Sequence, residues 1–388
     1  MWMETKMEVE EASRSHASRS HASLSRRGLK SLLLCTGDME HLDKYIQDKS
    51  FVLQLAVWGL RGVTRVILAN NPLSGALILA ALYWASPWQG LLGTLGVLVS
   101  TLTAVVIGQD RCDVAGGLHG FNGMLVSLLM GVFSSAGDWY WLLLLPVCLG
   151  SATCVFLFSG ISTLLDRWDL PAAVFPFNII IILYLLCTGP NNPYFPHHPA
   201  TPPGTLESNI TDLIAVEVMR GIPLGVGQIF ACEVLGPSLL ILGAVCLYSP
   251  LLAVHALLGS AVGTLAGLSM AVRHESLYSG LSGFNGALGC MSVGGLFFTF
   301  SWRTHLFAIA CAFLSAYADI ALGNLMGTVG LPACSWAATL TVTLMLLLTG
   351  SLAPYRIPIG QVMAPEQNLR SRSQWEAGNT EERASTDL

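Results

Sequence analysis

Charge is scarce in this sequence. Charged residues make up 11% of its 388 positions, against about 25% in an ordinary soluble domain, and that deficit excludes a water-soluble globular fold for most of the chain. Lysine is missing between residues 51 and 350: all four lysines (Lys6, Lys30, Lys44, Lys49) precede that stretch, which holds only seven arginines. The net charge of −5, carried largely by the hydrophilic ends, argues against a nucleic-acid partner. Ten cysteines are present without a CxxC pair, so buried packing thiols are expected, not a disulfide frame or a metal site. The opening MWMETKMEVEEA has no apolar run of the kind a cleavable signal peptide needs. No GxSxG, HExxH or P-loop motif occurs, so neither an enzyme nor a cofactor is expected.

What is abundant is apolar. Hydrophobic residues make up 53% of the chain and the mean hydropathy is +0.60. Apolar segments run near 51–69, 73–85, 90–107, 116–133, 141–164 and 171–189, and recur near 214–232, 238–248, 251–270, 279–298, 304–325 and 332–350. A spanning helix takes about 20 apolar residues. Segments 116–133 and 279–298 are broken by glycines, which fits partial crossings buried in protein or lining a polar cavity.

The recurrence is written in the residues. LHGFNGML at 118–125 returns as LSGFNGAL at 281–288. At the same spacing of 163, Gly62 matches Gly225, Ser86-Pro87 matches Ser249-Pro250, Gly96 matches Gly259, Thr101 matches Thr264 and Trp139 matches Trp302. At a spacing of 161, DLPA (169–172) matches GLPA (330–333), and Thr188-Gly189 matches Thr349-Gly350. An odd number of spans per half turns the second half upside down and puts a shared pathway between the halves. The expected fold is an all-α polytopic membrane protein: two inverted repeats, each of five transmembrane helices plus one re-entrant half-helix, with a pore at the repeat interface. Five regions follow: an N-terminal tail (1–50), a first membrane repeat (51–189), a linker (190–213), a second membrane repeat (214–350) and a C-terminal tail (351–388). The linker segment 190–212 has no Lys or Arg, whereas Arg26, Arg27, Lys30, Lys44 and Lys49 precede the first span. That asymmetry puts both termini in the cytoplasm and the linker outside, where Asn209-Ile210-Thr211 forms an N-glycosylation sequon. The overlapping SRSHAS pair at 13–23 is low-complexity and is expected to be disordered. His197-His198 is expected to be ordinary loop chemistry.

Two Gly-Phe-Asn-Gly copies, at 120–123 and 283–286, give close backbone approach, exposed carbonyls and the flat rings of Phe121 and Phe284, beside Asn122 and Asn285. Helix packing through small residues is the structural alternative. Together with NNPLSG (70–75), WDLP (168–171), PFN (176–178), IPLGVGQI (222–229) and GLPAC (330–334), these stretches resemble the vertebrate urea transporter family over about residues 36–362. The resemblance implies passive, uncoupled urea flux through a pore in each protomer of a plasma-membrane homotrimer. It also implies two repeat-related pore glutamines, a nearby aromatic and two pore threonines. Gln228 fits the second glutamine, but Arg65 stands at the first, Leu68 at the aromatic, and Val174 and Ser335 at the threonines. The second family Asn-Pro is replaced by Val234-Leu235.

Urea offers four N–H donors and one carbonyl acceptor, and stripping its water costs several kcal/mol per unpaired group. Its path must supply acceptors at weak, serial sites. Guanidinium has donors only, so Arg65 serves the urea oxygen alone, and as an intramembrane charge it calls for a partner or water. Glu217 is the expected partner; the alternative is that Arg65 turns aside or snorkels. Competing functions are a channel for ammonia, water or a urea analogue, and a weakly conducting pore scaffold. An aquaporin-type pair of Asn-Pro-Ala boxes is missing, since only Asn71-Pro72 occurs. No histidine pair is related by the repeat, and Asp319 and Glu233 are lone acidic candidates for ion coupling.

Overall fold

The computed structural model describes residues 35–204, 212–348 and 352–373. The sequon at Asn209, the SRSHAS pair and Thr349-Gly350 lie outside the described residues. Within them the chain is helical, with two isolated bridges (Ser134–His197 and Phe298–Arg356) and no β-strand.

A short helix α1 (Glu40–Ile46) precedes the membrane body. The first half runs α2 (Phe51–Arg65), α3 (Pro72–Ala85), α4 (Pro87–Val106), α5 (Arg111–Ala115), α6 (Phe121–Phe133), α7 (Leu144–Leu165) and α8 (Phe175–Thr188). The second half runs α9 (Ala215–Gly227), α10 (Leu235–Tyr248), α11 (Pro250–Ser269), α12 (His274–Tyr278), α13 (Phe284–Met291), α14 (Trp302–Gly327) and α15 (Trp336–Leu346). A helix α16 follows over 365–373. From α3 to α6, each helix begins 163 residues before its counterpart, and α8 begins 161 before α15.

Local chemistry sets the boundaries. Asn71 takes the Leu73 and Ser74 N–H groups on its side chain, with Pro72 opening α3. Ser86 and Ser249 accept from Gln89 and Leu252, with Pro87 and Pro250 opening α4 and α11. These are N-caps followed by a proline whose missing N–H costs nothing there. Val234 offers no such oxygen, and α10 starts without a side-chain cap. Gly96 and Gly259 bring α4 and α11 onto α6 and α13: a methyl on either would lie 2.4 Å from the carbonyl oxygen of Gly123 or Gly286.

Among the described residues, four helices are long and apolar enough to cross a membrane: Pro87–Val106, Trp141–Trp168, Pro250–Ser269 and Trp302–Gly327. A fifth crossing arises if Ala215–Phe230 and Leu235–Tyr248, bent by 74°, form one broken span. The apolar helices α3, α6, α8 and α15 have only 14, 13, 14 and 11 residues, about 16–21 Å of rise against a hydrocarbon core of about 30 Å. The helix that starts at Trp141 corresponds to the one that starts at Trp302. Packing agrees: Val126 lies on Gly150 as Gly289 lies on Cys311. The spacing of 161 therefore already holds along this helix, and the partner of Trp302 is Trp141, not Trp139. The two extra residues of the first half lie ahead of the helix.

The terminal segments are part of the fold. Asp38 is buried; its carboxylate accepts the Tyr248 hydroxyl (3.0 Å) and the Ala364 N–H (3.2 Å). Arg61, 1% exposed, donates to the Asp38 carbonyl oxygen (3.0 Å), to Asn70 Oδ1 (2.8 Å) and to Asp43 (2.8 Å). From the other end, Arg356 pairs with Asp169 (3.2 Å) and also donates to the Leu346 carbonyl. Asn368 donates to the carbonyl oxygens of Gly295 and Leu296 (3.0 and 3.2 Å). Residues 352–373 thus strap the first half to the second. The hydrophilic composition of 351–388 suggested only a tail.

Candidate functional site

The two Gly-Phe-Asn-Gly copies fold into the same device. Asp110 caps α5 by accepting from Cys112 and Asp113, and the helix stops at Gly116. Gly117, at φ +74°, turns the chain so closely onto α2 that a methyl there would lie 2.4 Å from Gly62 N. Gly280, at φ +83°, does the same against Gly225 N, also at 2.4 Å. Only glycine combines that left-handed backbone with that approach.

The asparagines that follow act as clamps. Asn122 donates to the Ala173 carbonyl oxygen (3.2 Å) and accepts the Phe177 N–H (3.0 Å). Asn285 donates to the Cys334 carbonyl oxygen (3.0 Å) and accepts the Ala338 N–H (3.1 Å). Ala173 and Cys334 are left-handed, at φ 42° and 47°, and precede the starts of α8 and α15. Each asparagine pins a strained turn to the first turn of a short helix. Both side chains are buried and both amide ends are occupied.

The two short helices meet at equivalent residues. Asn178 accepts the Ser335 N–H (3.1 Å) and donates to Thr339 Oγ1 (3.5 Å) and the Val174 carbonyl oxygen (3.0 Å). Thr339 in turn donates to the Ser335 carbonyl oxygen (2.7 Å). Phe175 and Trp336 pack edge to face with ring centroids 5.9 Å apart. Both Asn178–Thr339 and Phe175–Trp336 are pairs spaced by 161 in the chain. Val174 and Ser335 sit at this meeting point, the former half-buried and the latter buried. Phe121 packs instead edge to face on Phe158, at 5.9 Å, and Phe284 is half-buried.

Arg65 and Gln228 make matching bonds. Arg65 donates from Nε to the Gly116 carbonyl oxygen (2.8 Å), and Gln228 donates from Nε2 to the Ser279 carbonyl oxygen (3.0 Å) and to Glu233 (3.3 Å). Gly116 and Ser279 are themselves equivalent, each closing its short helix. Leu68, at φ 61°, and its counterpart Ala231, at φ 54°, close the turns that follow.

Glu217 is not the partner of Arg65. It pairs with Arg220, one turn on, at 3.3 Å on the exposed start of α9; its place in the first turn puts it at the far end of that helix from Gln228. The carboxylates in electrostatic reach of Arg65 are Asp38 and Asp113. Asp38 lies outside the spans: burial pushes its carboxyl up, opposed chiefly by Arg65 and then by the Tyr248 hydrogen bond. Sequence reasoning passed over Asp38 because it stands in a hydrophilic stretch. It also passed over Asn178 and Thr339, whose signal was a repeat spacing that joins unlike residues. Of the acidic candidates for ion coupling, Glu233 holds Gln228, and Asp319 lies near Asn285. His255 and His305 do face each other at 3.2 Å, but His255 is anchored on the Leu251 carbonyl beside the docked C-terminal helix and the pair is unrelated by the repeat. Among the described residues no three His, Cys, Asp or Glu side chains could hold a metal ion.

The chain matches the urea transporter family model over residues 56–350. It belongs to the urea transporter family. It is 44% identical to urea transporter 1 of Rattus norvegicus and of Mus musculus, and 42% identical to that of Capra hircus. Each alignment covers 346 residues, 88% of this chain and 90% of the relative. As a member, the chain is a multi-pass membrane protein that transports urea across a membrane, and it is not an enzyme.

Proposed function

We propose that this urea transporter conducts its solute passively, uncoupled from any ion, through a pathway in each protomer where two inverted repeats meet. The observation that carries the reading is the contact of equivalent residues, Asn178 with Thr339 and Phe175 with Trp336. A two-fold related seam of this kind is where inverted repeats build a solute path. Arg65 and Gln228 face the path on their respective sides, with Leu68, Phe121 and Phe284 as apolar wall. Val174 and Ser335 stand at its middle, where Ser335 offers a hydroxyl and Val174 none. The asparagines Asn122 and Asn285 hold the wall in place instead of touching the solute, because their amides are already used. The protein assembles as a homotrimer in the plasma membrane, with cytoplasmic termini and a glycan on Asn209.

Urea uptake into vesicles reconstituted with the purified protein tests this. Uptake is expected to follow the urea gradient alone and to be unchanged by an imposed sodium gradient, proton gradient or voltage. Dependence on any of these would overturn passive flux. For the topology, Asn209→Gln is expected to remove a glycosidase-sensitive mobility shift; wild-type protein without that shift would count against an external linker.

A further inference from the structure

Arg65 and Gln228 use the same kind of bond to reach the same place in their halves, so what separates them is charge. Arg65 Nε is held by the Gly116 carbonyl at 2.8 Å. Its two Nη groups meet no protein acceptor among the described residues. Arg65 as a whole is half-buried, whereas Arg61 is buried. No carboxylate forms a salt bridge with Arg65 among the described residues. Asp38, one of two acidic groups in reach, already accepts from Tyr248 and Ala364. Arg61, one turn away, is neutralised by Asp43 at 2.8 Å. The second half is the opposite. Its amide donates to Glu233, which is exposed, and the position equivalent to Glu233 in the first half is the uncharged Asn70, whose Oδ1 is taken by Arg61.

We propose that Arg65 is the charge discriminator of the pathway: its open Nη fork passes neutral planar amides and turns back planar cations of the same shape. The inference rests on the urea reading above. Urea and guanidinium share a plane and nearly a size, so aromatic walls cannot tell them apart by shape. They differ at one position and in charge. Urea presents a carbonyl oxygen that the Nη hydrogens can serve, whereas guanidinium presents only donors, facing donors across a like charge in a medium where water screens poorly. An amide at this place, as at Gln228, would offer an oxygen to either solute and repel neither.

Uptake of urea and of guanidinium, measured side by side in vesicles at matched gradients and clamped voltage, decides it. Wild-type protein is expected to pass urea and to take up guanidinium about tenfold more slowly or worse. Arg65→Gln is expected to raise guanidinium uptake by about tenfold or more while urea still passes. Arg65→Lys, which keeps the charge, is expected to keep the exclusion. Should Arg65→Gln fail to fold, Arg65→Met, without charge or hydrogen bond, is expected to relax the exclusion in its place. Equal exclusion of guanidinium by the uncharged variants, or wild-type uptake of guanidinium as fast as urea, would overturn the proposal. Wild-type vesicles that pass no urea would instead sink the transport reading itself.

Discussion

Replacing Arg65 by glutamine is expected to raise urea flux per folded protein by a fewfold to about tenfold, since each recovered hydrogen bond is worth about 0.5–1.5 kcal/mol net. The structure explains why the exchange is feasible. A glutamine amide at 65 can keep the bond to the Gly116 carbonyl that Arg65 Nε makes at 2.8 Å, as Gln228 does with Ser279 at 3.0 Å. Its oxygen then returns an acceptor for the urea N–H groups. Val174→Thr is expected to add to the gain, because Val174 is the repeat equivalent of Ser335 and contributes no hydroxyl, and Gln228→Ala is expected to lower flux. The side effect falls on Asp38, not Glu217. Burial already raises the Asp38 carboxyl above the usual range, and Arg65 is the first of the groups that hold it down. Without Arg65 it rises further, and a carboxyl raised in the folded state takes stability away as pH climbs through that value. Arg65→Gln is therefore expected to melt lower than wild type at neutral pH and to recover on mild acidification or with Asp38→Asn. Uptake and melting measured together on these variants are the check. Unchanged or lower flux in a well-folded Arg65→Gln would mean that the guanidinium points away from the solute.

Asn285→Ala is expected to fail earlier, at the level of the fold. The substitution strands the Ala338 N–H and the Cys334 carbonyl, now held at 3.1 and 3.0 Å, in a buried place where each lost partner costs about 1–3 kcal/mol. It also releases Cys334 from the support of its left-handed backbone at φ 47°. A loss of about 2–5 kcal/mol follows, enough to lower the melting temperature by about 5–10 °C or more. Asn285→Asp is expected to do no better, since a carboxylate would set an acceptor against the Cys334 carbonyl. Asn122→Ala should behave alike, through Phe177 and Ala173. A size-exclusion and melting series separates the roles. An asparagine that merely lined the path would change flux and leave melting untouched, and that result would overturn the clamp.

The membrane class, the duplication and the family were legible because each is written in many residues at once. Apolar runs, fixed spacings and ordered motifs survive any single exception. The site was legible in its addresses more than in its roles. Asn122 and Asn285 stood out as a repeat-related pair, but a sequence cannot say whether an amide faces a solute or a backbone; the structure shows their ends bonded at Ala173 and Phe177, and at Cys334 and Ala338. Arg65 was placed by arithmetic, yet its surroundings come from Asp38 and Asp113, far from Glu217 in helical position. The Trp139 match misled because two tryptophans flank Tyr140, and the helix begins at the second. The C-terminal strap was invisible for a plainer reason: residues such as Glu366 and Asn368 dock through polar bonds, and hydropathy sees only their solubility.

The strap also sets an order of events in biosynthesis. Asp38 is made early, but one oxygen of its carboxylate meets a donor 326 residues later, at Ala364. Arg356 likewise ties back to Asp169, 187 residues behind it. Until Ala364 has been made, the newborn protein carries the Asp38 acid without its second donor. A chain cut before residue 364 would leave the Asp38 carboxylate without the Ala364 N–H, with the Tyr248 hydroxyl still in place.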